Sequence, residues 1–322
     1  YHLEEASMKF TQKTLASALA ATMAATGVSA AHADIELGSG LSVTGFVDMS
    51  FQYIDVDGAD STTRAFGVDQ VEVDFLYTGA NGVSARVDIE YGEAGEDVDT
   101  TFVEQAYITK QITEQFSVKA GRFLSYSGWE TEEPTGLYQY SGTGYAQHFY
   151  GYYQQGVSAY FDGGIVDFMV SVVNSAVTPN EYDTTTLATE VGVALQPVEG
   201  LTAKLFYITD DDNDRINFWT SYEISSFTFA FEYNKADFAD DREGDGYLLM
   251  ANYAVGDFGI TFRYHDYSIE NAAGATIEEN KAITISPSYA LGDNLLLVAE
   301  YRKDEFGSTD VNTFAFELLY SF

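Results

Sequence analysis

Residues 227–234 read FTFAFEYN, with Phe227, Phe229, Phe231 and Tyr233 at every second place and Thr228, Ala230, Glu232 and Asn234 between them. Successive side chains of an extended strand point to opposite faces, so one face of this segment is oily and the other polar. Residues 258–265 repeat the pattern: Phe258, Ile260, Phe262 and Tyr264 alternate with Gly259, Thr261, Arg263 and His265. In residues 83–91, Val83, Ala85, Val87, Ile89 and Tyr91 share one face while Arg86, Asp88 and Glu90 share the other. A charged face kept through the middle of a strand is intolerable in a protein core but required beside water. Such strands predict an apolar medium on one side of a sheet and water on the other.

The same period runs along the chain. It predicts sixteen strands, near 41–54, 66–77, 83–91, 101–111, 116–123, 155–161, 165–174, 186–196, 201–209, 215–224, 227–236, 247–255, 258–267, 281–289, 295–302 and 311–322. Short connectors at 78–82, 112–115, 162–164, 197–200, 225–226, 256–257 and 290–294 alternate with longer polar ones at 94–100, 210–214, 237–246 and 268–280, and with a very long one at 124–154. A soluble sandwich or propeller, the competing arrangement, has no reason to alternate connector length. The pattern fits an all-β, transmembrane antiparallel barrel of about 16 strands, or 14–18 if a hairpin slips, with short periplasmic turns and long extracellular loops. Tyr53, Tyr77, Tyr91, Tyr207, Tyr222, Tyr233, Tyr253, Tyr264, Tyr289 and Tyr301 fall near strand ends, where interfacial aromatic girdles lie. Strand 101–111 is ambiguous, because Val103, Gln105 and Tyr107 compete with Phe102, Glu104 and Ala106 for the lipid side.

Composition removes whole classes of function. Among 322 residues, 15 Lys plus Arg face 50 Asp plus Glu, a formal charge of −35. No basic footprint exists for nucleic acid. The absence of Cys excludes disulfides, thiol nucleophiles and thiolate metal sites. At the amino terminus, residues 1–7 read as an upstream extension before Met8. Lys9 and Lys13, the small and apolar run Leu15 to Val28, and Ala31-His32-Ala33 predict a signal peptide over 8–33, cleaved after Ala33. A membrane anchor is the alternative, but Ser17, Thr22, Thr26 and Gly27 interrupt the run, which falls short of the ~20 residues a span needs. The barrel domain is then expected over 34–322, exported to an outer membrane among its lipid and lipopolysaccharide.

The closing stretch Phe314-Ala-Phe316-Glu-Leu318-Leu-Tyr320-Ser-Phe322 resembles the carboxy-terminal assembly signal of Gram-negative outer-membrane proteins, which implies the barrel-assembly machinery as a partner of the Phe322 strand. Val118-Lys-Ala-Gly-Arg-Phe123, Gly128-Trp-Glu130, the Tyr- and Gly-rich run to Gln155-Gly-Val-Ser-Ala-Tyr160, and the preceding Val103-Glu-Gln-Ala-Tyr-Ile108 resemble the OmpL-like, β-barrel porin-2 family. The resemblance covers roughly residues 103–161; elsewhere only the strand-loop rhythm matches. It implies a single-chain porin for small hydrophilic solutes with no cofactor, and it carries over no solute-binding residue.

The inward candidates in mid-strand are Asp48, Glu72, Asp74, Arg86, Asp88, Glu90, Lys119, Lys204, Glu223, Glu232, Arg263, Glu300 and Arg302. Acids outnumber bases, which favours cations; the competing reading is acidity as a solubility or saline adaptation. Connector 124–154 is the candidate constriction loop, through Trp129, Glu130, Glu132, Glu133, Tyr138 and Tyr140, with Tyr145 and Tyr150, whose apolar bodies pack and whose polar tips meet water. Its alternative roles are capping the mouth or contacting other subunits of a homotrimer. Asp210, Asp212 and Asp214 have the odd spacing of a calcium loop, but Arg215 and Ser221 stand where that loop needs Gly and Glu, so a solvated acidic loop is expected; weak divalent binding that bridges to phosphorylated lipid is the alternative. After processing only His148 and His265 remain, neither in a nucleophile motif, and an enzyme is not expected. The expected function is a water-filled channel for passive diffusion. A plugged structural or adhesive barrel is the runner-up, and a hydrolase with a Ser beside His148 or His265 is a third reading.

Overall fold

The computed structural model describes residues 35–59, 61–94, 98–130, 133–178 and 184–322, so the expected leader and Glu132 lie outside the described residues. In chain order the strands are β1 Ile35–Gly38, β2 Leu41–Val56, β3 Thr63–Thr78, β4 Val83–Ala94, β5 Val98–Gln111, β6 Phe116–Leu124, β7 Tyr153–Asp162, β8 Val166–Val173 and β9 Ala188–Val198. They continue as β10 Leu201–Asp210, β11 Asn213–Ile224, β12 Phe227–Asp237, β13 Glu243–Val255, β14 Phe258–Glu270, β15 Thr276–Ala290, β16 Leu295–Phe306 and β17 Thr309–Ser321. From β2 on, each strand pairs antiparallel with the next. The last, β17, returns to β2. β2 to β17 thus close into an antiparallel barrel of sixteen strands, with no open edge to pair with other chains.

At the seam Phe314 faces Tyr53, Phe316 faces Phe51 and Leu318 faces Met49. The chain ends with Gly45 N donating to Phe322 O at 3.0 Å and Phe322 N donating to Gly45 O at 2.9 Å. β2 continues beyond that point, and β1, a strand the alternation did not announce, covers the remaining edge through Ile35↔Val43, Glu36↔Ser42 and Gly38↔Leu41.

Alternation sorts the two faces as the sequence implies. On β14, Phe258, Ile260 and Phe262 are exposed outward, while Thr261, Arg263 and His265 are fully buried within. No helix among the described residues is long and apolar enough to cross a membrane; crossing is by strands, whose backbone groups are satisfied by their neighbours.

Three sequence expectations change. The ambiguity of β5 has a cause: Asp88 pairs with Gln105 but Ile89 pairs with Val103, so Glu104 is an extra residue, a β-bulge. Inward facing passes there from even to odd positions. Glu104 is buried on the same side as Gln105, whose Nε2 donates to Asp88 Oδ2 at 2.7 Å, while Val103 and Ile108 are exposed outward. Second, several outer connectors are shorter than predicted, because polar strand ends keep pairing: Asp237↔Glu243 and Lys235↔Asp245 extend the β12–β13 hairpin. The segment 210–214 is a tight turn with only Asp211 and Asp212 between β10 and β11, Asp211 at φ 53°. At the other end Gly200 turns β9 into β10 at φ 79°, where a Cβ would lie 2.3 Å from Glu223 O. Third, the inner wall is not polar throughout. Met169, Phe206, Trp219, Leu248, Met250 and Ile269 on β8, β10, β11, β13 and β14 form an apolar cluster with Trp129, Tyr145, Phe149 and Tyr150. The main core therefore sits inside the barrel, under the loop between β6 and β7.

Candidate functional site

Among its described residues, the connector from β6 to β7, residues 125–152, carries a short 3-10 turn, Pro134–Gly136, and a short α-helix, Ala146–Phe149, called α1. It leaves β6 through Ser125 Oγ and Tyr126 N, which donate to Glu190 Oε1 on β9 at 2.7 and 3.0 Å. Gly128 N then donates to Asn217 Oδ1 on β11 at 3.0 Å, and Trp129 N to Glu232 Oε1 on β12 at 2.8 Å. Glu232 also accepts from Asn217 Nδ2 at 2.6 Å and from the Tyr145 and Tyr150 hydroxyls at 2.5 Å. Trp129 stacks on Tyr138 and meets Trp219 edge-on at 5.3 Å.

Further on, Glu130 accepts from Arg263 Nη1 on β14 at 2.6 Å, a charge-assisted bond between groups removed from water. Tyr138 O accepts from Thr261 Oγ1 at 2.6 Å. Ser141 N donates to Glu300 Oε2 on β16 at 3.2 Å, and Arg302 donates to Gly142 O. The Tyr140 hydroxyl reaches the β2–β3 wall, lying 3.1 Å from both Ser50 Oγ and Asp69 Oδ2, to one of which it donates, and accepting from Gln52 Nε2 at 2.7 Å. On α1, His148 Nε2 pairs with Glu278 Oε1 at 2.9 Å. The loop is thus bonded to wall strands from β2 round to β16 and runs through the barrel's interior rather than over its mouth.

Burial explains the protonation chemistry of the loop. It pushes the Tyr145 and Tyr150 hydroxyls well above the usual tyrosine range, with the Glu232 charge adding to it, so both stay neutral donors. Burial, then the charge of Glu104, pushes the Glu133 carboxyl well above the ordinary carboxylate range. Burial lowers His148 against the opposing pull of Glu278.

The inward candidates divide into groups. Glu72, Asp74, Asp88 and Glu90 lie together on β3 and β4, where Glu72 faces Glu90 and Asp74 faces Asp88. Arg86 lies among them, 2.6 Å from Asp88, 3.4 Å from Asp74 and 3.7 Å from Glu72. Asp48 on β2 is buried on the same inner wall, as are Glu300 and Glu317 on β16 and β17. Arg302 makes a two-pronged pair with Asp304 at 2.6 and 2.7 Å. Glu232 and Arg263 hold the loop. Lys119 and Lys204 are inward but covered by rings: the Lys119 ammonium lies 4.7, 5.1 and 4.9 Å from the ring centres of Tyr107, Phe123 and Tyr126, and that of Lys204 4.8 Å from Trp219. Glu223 lies opposite the buried Thr228, on the inward face near the β11–β12 turn.

Sequence reasoning missed Asp69, Glu104, Gln105, Glu190, Asn217, Glu278 and Thr261. Asn217 and Thr261 occupy the polar phase of their strands and were legible there, but Glu104 depends on a bulge that alternation alone conceals. The Asp210–Asp214 turn gathers no shared carboxylate site: Asp210 Oδ2 accepts from Ser175 Oγ at 2.5 Å and Ala176 N at 2.9 Å, and Asp214 from the Tyr207 hydroxyl at 2.7 Å. His265 Nε2 is bonded to Asn280 Oδ1 at 2.6 Å.

Known proteins share this architecture. The structure is similar to the anion-selective porin from Comamonas acidovorans, with a TM-score of 0.65 at 14% identity over 88% of this chain and 99% of that one. It is similar to Salmonella typhi OmpF, in a complex with daunomycin, with a TM-score of 0.66 at 14% identity over 90% of this chain and 100% of the other. The outer-membrane OmpT of Vibrio cholerae gives 0.64 at 14% identity over 89% and 100%. No curated protein matches at the level of sequence. The family model of Gram-negative porins matches residues 16–309, which shows that family without showing the OmpL-like subfamily. An antiparallel barrel of sixteen strands with an inward loop, matched over that length, makes this chain a member of the Gram-negative porin family and an outer-membrane channel protein.

Proposed function

We propose that the protein lets small hydrophilic solutes diffuse passively through the barrel, with a preference for cations, and that it performs no chemical step. The observation carrying this reading is the loop 125–152, seated across a wall rich in carboxylates. Acids there, namely Asp48, Asp69, Glu72, Asp74, Asp88, Glu90, Glu104, Glu300, Asp304 and Glu317, outnumber the bases Arg86, Arg263 and Arg302. Carboxylate rings at a narrow point attract cations and repel anions. Charge, not fold, sets the sign of selectivity, since the Comamonas relative with the same barrel is described as anion-selective. The pore-lining set of the sequence, with Trp129, Glu130, Glu133, Tyr138 and Tyr140 as the constriction, is proposed as the selectivity element.

Single-channel conductance of the folded protein in planar bilayers, with reversal potential under a potassium chloride gradient, tests the reading. Open steps with a cation-biased reversal support it; silence from folded barrels, or an anion bias, overturns it. Cleavage after Ala33, export through the outer-membrane assembly machinery by the Phe322 strand, contact with lipopolysaccharide and assembly as a homotrimer belong to the same proposal. Several solved forms of a relative include a trimer. Amino-terminal sequencing and the mass of protein extracted from outer membranes check the first and last of these.

A further inference from the structure

On the inner wall, Glu72 of β3, Glu90 of β4 and Glu104 of β5 each offer a carboxylate oxygen, and these oxygens all lie within 4.8 Å of one another. Oxygens that share one calcium ion at about 2.4 Å are at most about 4.8 Å apart. The cluster is more than an acidic patch, for two reasons. Glu104 is 4% exposed and Glu72 1% exposed, yet Glu104 Oε2 and Glu72 Oε2 have no hydrogen-bond donor. A buried carboxylate oxygen without a donor is costly unless a cation faces it. In addition, Glu104 is inward because of the bulge opposite Asp88 and Ile89, a departure from ladder geometry that brings a third carboxylate beside the pair Glu72 and Glu90.

Neighbouring cations do not fully serve the carboxylates of Glu72 and Glu104. Arg86 is engaged mainly with Asp88 and Asp74, reaching Glu72 only through Oε1 at 3.7 Å. Arg122 Nε donates to the main-chain oxygen of Glu104 at 2.8 Å, not to its carboxylate. Glu133, lowered from the loop onto Glu72, brings a fourth carboxyl.

We infer that Glu72, Glu90 and Glu104 form a site for one divalent cation of the calcium class on the barrel's inner wall, capped by Glu133 of the loop. The donor set is oxygen only, the choice of hard cations, and strands of one sheet supply it with spacing loose enough for calcium's long, flexible coordination. An ion there ties the loop to the β3–β5 wall and removes part of the negative charge beside the narrowed lumen.

The test is calorimetric titration of calcium chloride into the full folded barrel, freed of metal by chelator, in detergent with ~0.15 M potassium chloride to suppress diffuse binding to its exposed acids. One saturable site per chain is expected, weakened on the order of tenfold or more by Glu104→Gln and by Glu72→Gln. Asp240→Asn, in the outer turn after β12, leaves it unchanged. Should either inner-wall variant fail to fold, Glu90→Gln takes its place. Absence of a saturable site, or a site indifferent to these inner-wall substitutions, overturns the inference. Because the titration needs no conductance, a barrel that binds calcium but is silent in bilayers refutes the diffusion reading alone, and a conducting barrel without the site refutes this one alone.

Discussion

Glu232 takes four donors at once: Trp129 N, Asn217 Nδ2 and the Tyr145 and Tyr150 hydroxyls. Removing the acceptor leaves these buried donors unpaired, which costs more than the bonds contribute in net terms. Glu232→Ala should therefore destabilise the seated loop by roughly 2–4 kcal/mol while the closed barrel survives. Limited proteolysis within 125–152 and noisier, larger conductance steps would show it; a loop as protected as in the parent would refute it. His148 gives a pH dependence of definite sign. Its folded pKa is lowered, by burial first, with Glu278 pulling the other way and Arg215 and Arg242 adding to the lowering. The folded state thus prefers the neutral ring, so its contribution is present above the unfolded value of about 6.5 and is lost as pH falls through the lower folded value. Hydrogen-exchange protection factors across α1, taken relative to the intrinsic exchange rate at each pH, should fall between pH 7.5 and pH 5 in the parent protein and change less in His148→Gln.

At the scale of elements, the β5 bulge and the β9–β10 turn show how backbone detail places side chains. Deleting Glu104 should remove the bulge and leave a regular ladder with β4 in which Val103 stays outward and Gln105 inward, because the extra residue is what offsets the two ends of the strand; a barrel that folds as before but has lost the third carboxylate is the expected outcome. Gly200→Ala meets both an unfavourable φ and Glu223 O at 2.3 Å, and should cost about 1–3 kcal/mol, read as a lower urea midpoint for unfolding from detergent. The loop is an element in its own right, with its own apolar core against β8 to β14. Replacing residues 133–143 by a short Gly-Ser link should raise single-channel conductance roughly twofold or more and weaken ion preference, since the segment that touches β2, β3, β14 and β16 is then gone.

For the whole molecule, the charge of −35 acts as a field as well as a set of contacts. Screening shortens its reach from about 30 Å at 0.01 M salt to about 3 Å at 1 M. The cation preference should then be strongest in dilute salt and shrink toward zero at molar salt, measured as reversal potential at a fixed gradient ratio. A preference independent of salt would assign selectivity to direct coordination at the narrow point.

How far the sequence reaches depends on which physics is local. Period-two alternation, as in residues 227–234 and 258–265, determined most of the strands, their facing and an antiparallel barrel of about sixteen of them, because a face must match either lipid or water residue by residue; β1 and the facing of β5 escaped it. The aromatic end at Phe322 and the long connector were legible for the same reason: each is a departure visible in one stretch of chain. Only the tertiary structure decided what the inner wall does with its side chains. Lys119 and Lys204 were readable as inward, but not as covered by rings from other segments. Trp219, Leu248 and Met250 could be assigned to the inner face, yet why they are apolar there requires Trp129 and Tyr145 to arrive from the loop. Glu104 turns inward through a bulge set by register against β4, and the strand ends of β12 and β13 extend because they pair with each other. Pairing partners, register slips and the path of a loop through a barrel are long-range choices, fixed when distant segments meet.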